Sequence, residues 1–427
     1  MGDWNTRPLA DFVDPDRSIC YGIVQPGPAV AHGVPIVRVN NFVGGGVDTT
    51  GALKVDSLVE AKYRRSRLQG GELLITLVGS MGLSAIASEE LRGWNVARAV
   101  GVVPLRPDAD KRWINFVVRS KPTQDFIRMR ANTTVQATFN LKDLAELPIP
   151  CPPDAIRTEL SAILSALDDK IELNRRMNET LEAMARAMFK DWFVDFGPTR
   201  AKMEGHAPYL APEIWSLFPD RLDADGKPEG WTFGTLGDVA QQVGESVKPE
   251  ALDPSTPYIG LEHMPRKSIA LSDWQGADKV TSGKLIFRKG DFLFGKLRPY
   301  FHKVGLAPLD GICSTDIVVL NARERKAAAF VLACISQDDF VAFTDRTSDG
   351  TKMPRTSWGR MGRYDLCLPT EPALGAFNES VEPMLDRIVA NIHESRTLAA
   401  TRDLLLPKLM SGEVRVEDAE RHIEEAT

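Results

Sequence analysis

The chain has 427 residues, of which 43% are hydrophobic and 26% are charged, so it is long enough to build more than one globular core. No stretch approaches the roughly 18 uninterrupted apolar residues that a membrane-spanning helix needs, and the first residues lack the basic-then-apolar layout of a secretion signal. We therefore expect a cytoplasmic protein of two or three domains that does not contact a membrane.

The net charge of −6 hides an uneven distribution along the chain. Lys and Arg outnumber Asp and Glu by 18 to 15 in residues 1–150 and by 18 to 16 in residues 231–367. Acidic residues lead by 15 to 10 in residues 151–230 and by 12 to 6 in residues 368–427. Two alternate basic blocks favour an anionic partner, although ordinary scatter of surface charge gives differences of the same size.

The two halves of the chain repeat one another, which fixes the domain organisation before any local motif does. Trp4–Asp11 is echoed by Trp231–Asp238, with Trp, Leu and Asp at the same spacing, and Gly71–Leu74 is echoed by Gly290–Leu293. From Thr134 onward the offset between the halves stays at 217. A constant offset predicts an element without insertions, and helices tolerate insertions least.

The repeat predicts alternating globular blocks and long helices. Within each block the apolar runs are short, rich in β-branched residues and separated by Gly, Pro and Asn, which favours an α+β domain with a modest sheet. The expected order is a first globular domain (1–150), a central long helix (151–196), a Pro/Gly-rich connection (197–230), a second globular domain (231–367), and a C-terminal long helix with an acidic tail (368–427).

Both predicted helices carry apolar residues in alternating four- and three-residue steps, the pattern of a coiled coil. We expect them to pack antiparallel as a pseudo-two-fold pair. Asn174 and Asn391 lie near the two midpoints, so we predict that they face each other and fix the register; the alternative places both at a solvated edge. Pro383 and Pro407 should kink or end the second helix.

Several kinds of chemistry are missing from the sequence. There is no phosphate-binding Gly-x-x-x-x-Gly-Lys-Ser/Thr loop, no Gly-x-Gly-x-x-Gly, no Asn/Asp-Pro-Pro-Tyr/Phe methyltransferase segment, and no cluster of His and Cys with metal-ligand spacing. The five cysteines occur singly, which predicts no disulfide framework. Asp48, Glu60 and Lys62 are a weak match to a Mg²⁺-dependent nuclease site; an exposed charged face is the plainer interpretation.

A duplicated fold without catalytic motifs points to binding, and the basic residues suggest DNA. Lys62, Arg64, Arg65 and Arg67 crowd the first block, and a longer basic run from Lys284 to Lys303 crowds the second. Such residues supply affinity through phosphates, while Arg, Asn, Gln and Lys also supply sequence choice at base edges. A protein scaffold with two similar arms remains an alternative.

Several segments together resemble the specificity subunits of type I restriction-modification enzymes. Leu297–Lys303, followed by Gly311–Asp316, resembles the family's Leu-Arg-Pro-Tyr region. Trp192–Phe196 with Arg200–Gly205 is similar to its central region, and Leu404–Glu413 to its C-terminal region, Pro407 included. The first block departs from the pattern, because Leu77–Gly82 stands where the second block has Leu-Arg-Pro-Tyr.

The resemblance implies two target-recognition domains that read the halves of a bipartite, asymmetric DNA site. It implies no catalysis and no cofactor in this chain: two modification subunits would bind S-adenosylmethionine and methylate adenine, and up to two restriction subunits would use ATP and Mg²⁺. Candidate DNA contacts in the first domain are Arg38, Asn40, Lys62, Arg64, Arg65, Arg67, Gln136, Thr138 and Asn140. Those in the second are Arg266, Lys267, Lys296, Arg298, Tyr300, His302, Lys352 and Arg355.

Overall fold

The computed structural model describes residues 4–43, 45–49, 51–131, 138–350 and 352–411. The chain divides into two compact units: the first comprises Met1–Glu172 with Thr397–Thr427, and the second comprises Leu173–Arg396. Each unit contains one globular domain and one segment from each of two long helices. The first long helix spans Asp154–Phe189 and continues through the π-helical turn Lys190–Val194; the second spans Glu371–Ser411. The α+β class predicted from the apolar pattern is confirmed.

The first unit is built on two small sheets. The order in the antiparallel four-stranded sheet is Cys20–Tyr21, Val100–Val103, Leu73–Thr76, Ser84–Ile86. A three-stranded sheet has the order Leu53–Val55, Val34–Val37, Asn95–Val96, its last pair parallel. Thr6–Pro8 pairs with Pro148–Pro150, and the main helices are Lys111–Arg119 and Lys121–Arg130.

The second unit repeats this topology. The order in its four-stranded sheet is Ala240–Val243, Ile317–Ala322, Phe292–Gly295, Val304–Leu306. A five-stranded sheet has the order Ser246–Val247, Lys284–Phe287, Gly311–Cys313, Pro257–Ile259, Gln275–Gly276, with one parallel pair. Thr232–Thr235 pairs with Asp365–Leu368, and Ala328–Ile335 and Asp338–Arg346 are its helices. The matching strand order confirms the internal repeat.

Aromatic side chains dominate the core of the second unit. The rings of Phe193 and Phe377 lie 5.0 Å apart, as do those of Phe193 and Phe330, and all three are buried. In the described residues no single helix is long and apolar enough to cross a membrane. A bent pair, Arg325–Ile335 with Asp338–Arg346, meets that test only when joined, and its Phe330 and Phe340 pack in this core.

The two long helices pair antiparallel within the second unit. Asn174 donates a hydrogen bond to Glu394 Oε2 (2.7 Å), and Asn391 donates one to Asn178 Oδ1 (2.8 Å). Asn174 and Asn391 are both 0% exposed, so the solvated-edge alternative was wrong. The predicted direct pair was also wrong. In the antiparallel register that forms, Asn391 lies opposite Asn178, which is one helical turn beyond Asn174.

The helix segments of the first unit are joined by a half-buried ion cluster. Asp168 Oδ1 accepts from Arg402 and Asp168 Oδ2 accepts from Arg119, both at 2.5 Å. The Arg402 side chain is only 11% exposed. Leu160 and Leu164 share a buried cluster with Leu405 and Leu409 nearby. The positive charge of Arg402, which interrupts the apolar pattern of the second helix, is therefore paired with the Asp168 carboxylate instead of being exposed to water.

The second long helix does not end at either Pro383 or Pro407, so that part of the expectation was wrong. One helix is assigned through both Pro383 and Pro407. A proline removes one backbone hydrogen bond, but buried residues anchor the helix on both sides of each: Val381 and Ile388 around Pro383, and Leu406 and Leu409 around Pro407. Packing of the apolar face outweighs the lost bonds.

Substitution of the buried amide pair tests its contribution to stability. We expect Asn391→Leu to lower the free energy of unfolding by about 1–3 kcal/mol, because it leaves the Asn178 carbonyl buried without its donor. The double substitution Asn178→Leu with Asn391→Leu should recover most of that loss, since two apolar side chains replace both partners. Chemical denaturation of the two single variants and the double variant measures the coupling. Additive losses would show that the pair is not energetically linked.

Candidate nucleic-acid interface

The second unit brings most of its predicted DNA contacts to two paired segments. After the strand Phe292–Gly295, residues 297–303 form a tight turn, which we call the Tyr300 turn. Leu297 and Arg355 form an antiparallel bridge, and the Arg298 amide donates to the Pro354 carbonyl at 2.7 Å. The Thr356 amide likewise donates to the Lys296 carbonyl at 3.0 Å. The Tyr300 turn and the 352–356 segment therefore form one surface.

The surrounding contacts hold three residues of this region in a strained backbone conformation. Arg298 and His302 both have φ of 51°, on either side of the short 3₁₀ helix Pro299–Phe301. Lys267, with φ of 57°, donates its amide to the His302 carbonyl at 2.8 Å. Residues other than glycine seldom adopt this left-handed region, and three of them in contact indicate a functional constraint on the backbone.

The surface carries positive charge that the protein does not neutralise. Arg266, Lys296, Arg298 and Lys352 have no carboxylate within 4.0 Å among the described residues. Arg266 lies 4.2 Å from the Phe301 ring centroid, which holds the guanidinium in place by a cation–π contact. Two other candidates are paired: Arg355 with Asp316 at 3.2 Å, and Lys267 with Asp338 at 3.0 Å. The cluster is suited to bind a polyanion.

His302 does not belong to this surface, contrary to the prediction. Its side chain is 4% exposed, with Nε2 3.0 Å from the Ser336 carbonyl oxygen and Nδ1 3.1 Å from Asp338. Burial lowers the pKa of His302. The turn directs this ring inward, so it anchors the loop and contacts no ligand.

A carboxylate on the first long helix positions the loop that carries Arg266 and Lys267. Glu182 Oε1 accepts from the Ile269 amide at 2.9 Å, and Oε2 accepts from the Ser268 hydroxyl at 3.0 Å. Glu182 also pairs with Arg186, which donates to the Lys267 carbonyl at 3.1 Å. Burial raises the pKa of Glu182, and Arg186 opposes that shift. No local pattern in the sequence predicts the contacts of Glu182 and Arg186 with this loop, because they join residues more than 80 positions apart.

In the first unit, Arg67 of the predicted basic cluster donates hydrogen bonds to the buried carboxylate of Glu60. The Glu60 side chain is 2% exposed; its Oε1 accepts from Arg67 Nε at 2.8 Å and from Asn95 at 3.0 Å, and its Oε2 accepts from Arg67. The hydrogen bonds from Arg67 hold the pKa of Glu60 below its usual value. Glu60 is thus neither an exposed charge nor an available metal ligand, and both interpretations of it were wrong. In the described ranges no group of three His, Cys, Asp or Glu is placed to hold a metal.

The other members remain exposed beside a sheet edge. Lys62, Arg64 and Arg65 lie on the 3₁₀ segment Ala61–Ser66, which packs against Asn95–Val96. Because Val34–Val37 runs parallel to that strand, the strand ends meet at one edge. Arg38 is half-buried and Asn40 exposed just beyond this edge. Arg98 is also exposed there, and sequence analysis missed it because only the strand pairing brings it near Arg38.

The remaining first-unit candidates, Asn140, Thr138 and Gln136, differ in their local structure or lie outside the described residues. Asn140 caps the helix Leu141–Ala145: its Oδ1 accepts from the Asp143 amide at 2.9 Å, and its Nδ2 donates to the Asp143 carboxylate at 2.5 Å. Its amide is therefore used inside the fold, and the prediction that it contacts DNA is corrected. Thr138 forms a bridge with Val78. Gln136 lies outside the described residues.

The two units place equivalent residues at equivalent turns. The Val78–Thr138 bridge corresponds to the Leu297–Arg355 bridge, at offsets that the internal repeat predicts. Gly79, with φ of 79°, occupies the position of Arg298, and Ser80 and Met81 lie where the second unit has Pro299, Tyr300 and Phe301. The first unit therefore keeps the bridge and the left-handed residue after it, in a turn one residue shorter that lacks the arginine and the tyrosine.

Comparisons with known proteins agree with the resemblance seen in the motifs. Residues 1–183 match the model of the type I restriction modification DNA specificity domain. The chain is 24% identical over 366 residues to the type I restriction enzyme MjaIX specificity subunit of Methanocaldococcus jannaschii, covering 82% of this chain and 78% of that protein. It is 23% identical over 351 residues to the HindI specificity subunit of Haemophilus influenzae, covering 69% and 75%.

Among solved structures, the fold resembles the S subunit of a type I restriction-modification system from M. genitalium. The TM-score is 0.50 at 15% sequence identity, and the match covers 95% of this chain and 96% of that one. At this identity the likeness concerns the fold alone. It extends over both units and both long helices.

Substitution of Arg67 tests whether it serves the fold. We expect Arg67→Ala to destabilise the protein by about 1–3 kcal/mol at pH 7, because a buried carboxylate loses its charged donor. A lowered pKa at Glu60 stabilises the fold above its unfolded value of 4.5, and this contribution is lost as pH falls through the folded pKa. The deficit of the variant should therefore be complete at pH 7 and smaller at about pH 3, since it begins to shrink only below pH 4.5.

Thermal unfolding at both pH values measures this effect. Arg64→Ala is the matched control, because Arg64 is an exposed neighbour on the same segment and should change stability by less than about 0.5 kcal/mol. Equal melting temperatures for the two variants at pH 7 would assign Arg67 to the surface instead.

Proposed function

We propose that this chain, which belongs to the DNA specificity subunits of type I restriction-modification systems, reads a bipartite and asymmetric DNA site with one half for each unit. The main support for the proposal is the paired surface of the second unit. Among the described residues several of its cations have no carboxylate within 4.0 Å, and its turn contains left-handed residues other than glycine. An equivalent turn in the first unit supports a second reading surface, and their different side chains support different half-sites.

The cations of the second unit divide by exposure into two roles. Lys352 is exposed, while Lys296 and Arg298 are half-buried beside the backbone of the turn. Exposed lysines suit phosphates, which set affinity and position, whereas a fixed guanidinium suits the edge of guanine, which sets sequence. We therefore assign Arg298 to base recognition and Lys352 to the phosphate backbone.

We infer that the chain itself performs no catalysis and binds no cofactor. S-adenosylmethionine would be bound by modification subunits, and ATP and Mg²⁺ by restriction subunits, in a complex that acts in the cytoplasm. The occupied oxygens of Glu60 remove the central residue of the nuclease alternative. A scaffold without DNA would leave the cation surface of the second unit unexplained.

The partner assembly in this proposal has two modification subunits and up to two restriction subunits. The first long helix offers a docking face in the second unit, where Leu173 and Met184 are 53% and 47% exposed. They are 11 residues apart, about three helical turns, so they lie on one face of the helix. Exposed apolar residues that share a face are typical of a protein interface.

Mapping methylated adenines in cells with and without this chain tests the proposed function directly. We expect one bipartite motif to vanish when the chain is deleted. In vitro, the affinity of the assembled complex for that motif should fall steeply as salt rises. DNA cutting by the purified chain alone with Mg²⁺ would support the nuclease, and assembly without salt-sensitive DNA binding would support the scaffold.

Substitution of Arg298 by glycine removes the guanidinium while preserving the turn. Glycine adopts a φ of 51° without penalty, so we expect Arg298→Gly to fold at least as stably as the unsubstituted chain. DNA affinity should fall by roughly 5- to 150-fold, and one position of the second half-site should become degenerate, because a bidentate base contact is worth about 1–3 kcal/mol. Lys279→Ala, which removes an exposed cation from another element of the same unit, is the control. A uniform loss across all sequences would reassign Arg298 to a phosphate.

Charge placed on the exposed face of the first long helix should block assembly. We expect Leu173→Glu combined with Met184→Glu to abolish co-purification with the modification subunit, because two carboxylates would be desolvated in the interface. The melting temperature of the isolated chain should not change, since both side chains are exposed. Met129→Glu, at an 86% exposed site on another helix, should assemble normally. Unimpaired assembly of the double variant would move the docking face elsewhere.

A further inference from the structure

Tyr300 is an exposed aromatic residue in a position that the fold keeps rigid. Its side chain is 50% exposed, although it lies on a three-residue 3₁₀ turn between two left-handed residues. The adjoining Phe301 ring packs against it edge-on at 4.8 Å. In the described part of the chain the Tyr300 hydroxyl has no hydrogen-bond partner. An exposed ring that packs on one neighbour and whose hydroxyl has no internal partner is available to contact a ligand.

A second exposed apolar side chain, that of Met353, lies on the segment that pairs with the Tyr300 turn. The pairing of the Tyr300 turn with the 352–356 segment ends at Arg298 and Pro354, so Pro299 and Met353 are the next residues on the two sides. Met353 is 51% exposed. The neighbouring Lys352 and Lys296 carry free positive charge. Tyr300 and Met353, which we call the apolar tip, are thus exposed apolar side chains on the two paired segments, and both segments also carry cations.

We propose that Tyr300, with Met353 beside it, inserts at a base step of the second half-site and stacks on a base. The inference rests on the proposed function, because the surrounding cations need a polyanion as partner. Phosphates would be held by the cations, and the apolar tip would then face the bases. Apolar side chains in such a setting unstack one base step and bend the duplex, and every base offers a ring face to an aromatic side chain.

The internal repeat separates this role from the general architecture of the turn. The shorter turn of the first unit carries Met81 in this region, which is half-buried and packs against the core of its own unit. The turn therefore does not need an exposed aromatic ring in order to fold. Tyr300 thus distinguishes the surface of the second unit from that of the first, and sequence-dependent stacking gives it selectivity without hydrogen bonds to bases.

The test uses the complex of this chain with its modification subunit and DNA that carries the mapped motif. 2-Aminopurine, which becomes fluorescent when unstacked, replaces each purine of the second half-site in turn. We expect a rise in fluorescence at one step besides the methylated adenine. Tyr300→Ala should abolish that rise and weaken binding about tenfold, the usual effect of losing one stacked base. Tyr300→Phe should keep both, because the ring and not the hydroxyl does the stacking.

Two controls make the outcome specific. Phe233 is 63% exposed and lies 5.5 Å from the Lys227 ammonium, so Phe233→Ala removes an exposed aromatic ring beside a cation elsewhere in the unit and should have no effect. The signal at the methylated adenine should persist in Tyr300→Ala, since the modification subunit produces it.

The possible failures are distinguishable. An unchanged fluorescence rise in Tyr300→Ala, or no rise at any other purine, overturns the stacking role while DNA recognition stands. Loss of the modification subunit from the Tyr300→Ala complex overturns it in favour of a protein contact. Absence of specific DNA binding by the unsubstituted complex sinks the proposed function itself.

Discussion

Buried polar contacts between the two long helices determine which residues of one helix lie opposite which residues of the other. In the second unit this is the Asn391–Asn178 hydrogen bond, and in the first it is the Asp168–Arg402 ion pair. An apolar seam alone tolerates a shift by one turn, about 5.4 Å, because leucine packs against leucine in either register. A shifted register would leave these polar groups buried and unpaired, at a cost of about 1–3 kcal/mol for each neutral group and more for a charge.

The same logic connects the helix to the recognition loop of the second unit. Glu182 projects from the first long helix and accepts hydrogen bonds from the Ser268–Ile269 backbone and side chain, while Arg186 fixes the Lys267 carbonyl. The loop therefore takes its position from the helix and from the strained Tyr300 turn together. Rigid placement from two directions reduces the ordering entropy that binding would otherwise cost. Cations held in this way select for geometry as well as for charge.

The sequence predicted the architecture well, because repetition and periodicity report on backbone topology. The echoed segments and short apolar runs were enough to anticipate equivalent α+β domains, and the constant offset of 217 beyond Thr134 was enough to anticipate equivalent helices. Individual side chains were harder to place, since their environment depends on residues far away in the chain. His302 lies two residues after the exposed Tyr300, yet its ring points inward. Arg67 donates to the buried Glu60 carboxylate, and the Asn140 side chain caps a helix. Arg98 and Glu182 gave no local signal at all, because strand pairing and long-range hydrogen bonds bring them to their sites.

If a duplicated fold is to recognise an asymmetric site, its two copies must share a backbone and differ in the side chains that this backbone carries. The turn after the third strand of each four-stranded sheet meets this condition. Its bridge to the later segment is kept in both units, and a left-handed residue follows the bridge in both. Glycine accepts that conformation freely, whereas arginine carries a strain of about 1–2 kcal/mol. The second unit keeps this strain at Arg298, next to an exposed tyrosine, where a folding requirement alone would have favoured the glycine of the first unit. A side chain retained against its own backbone preference is best explained by what it contacts when the protein is bound.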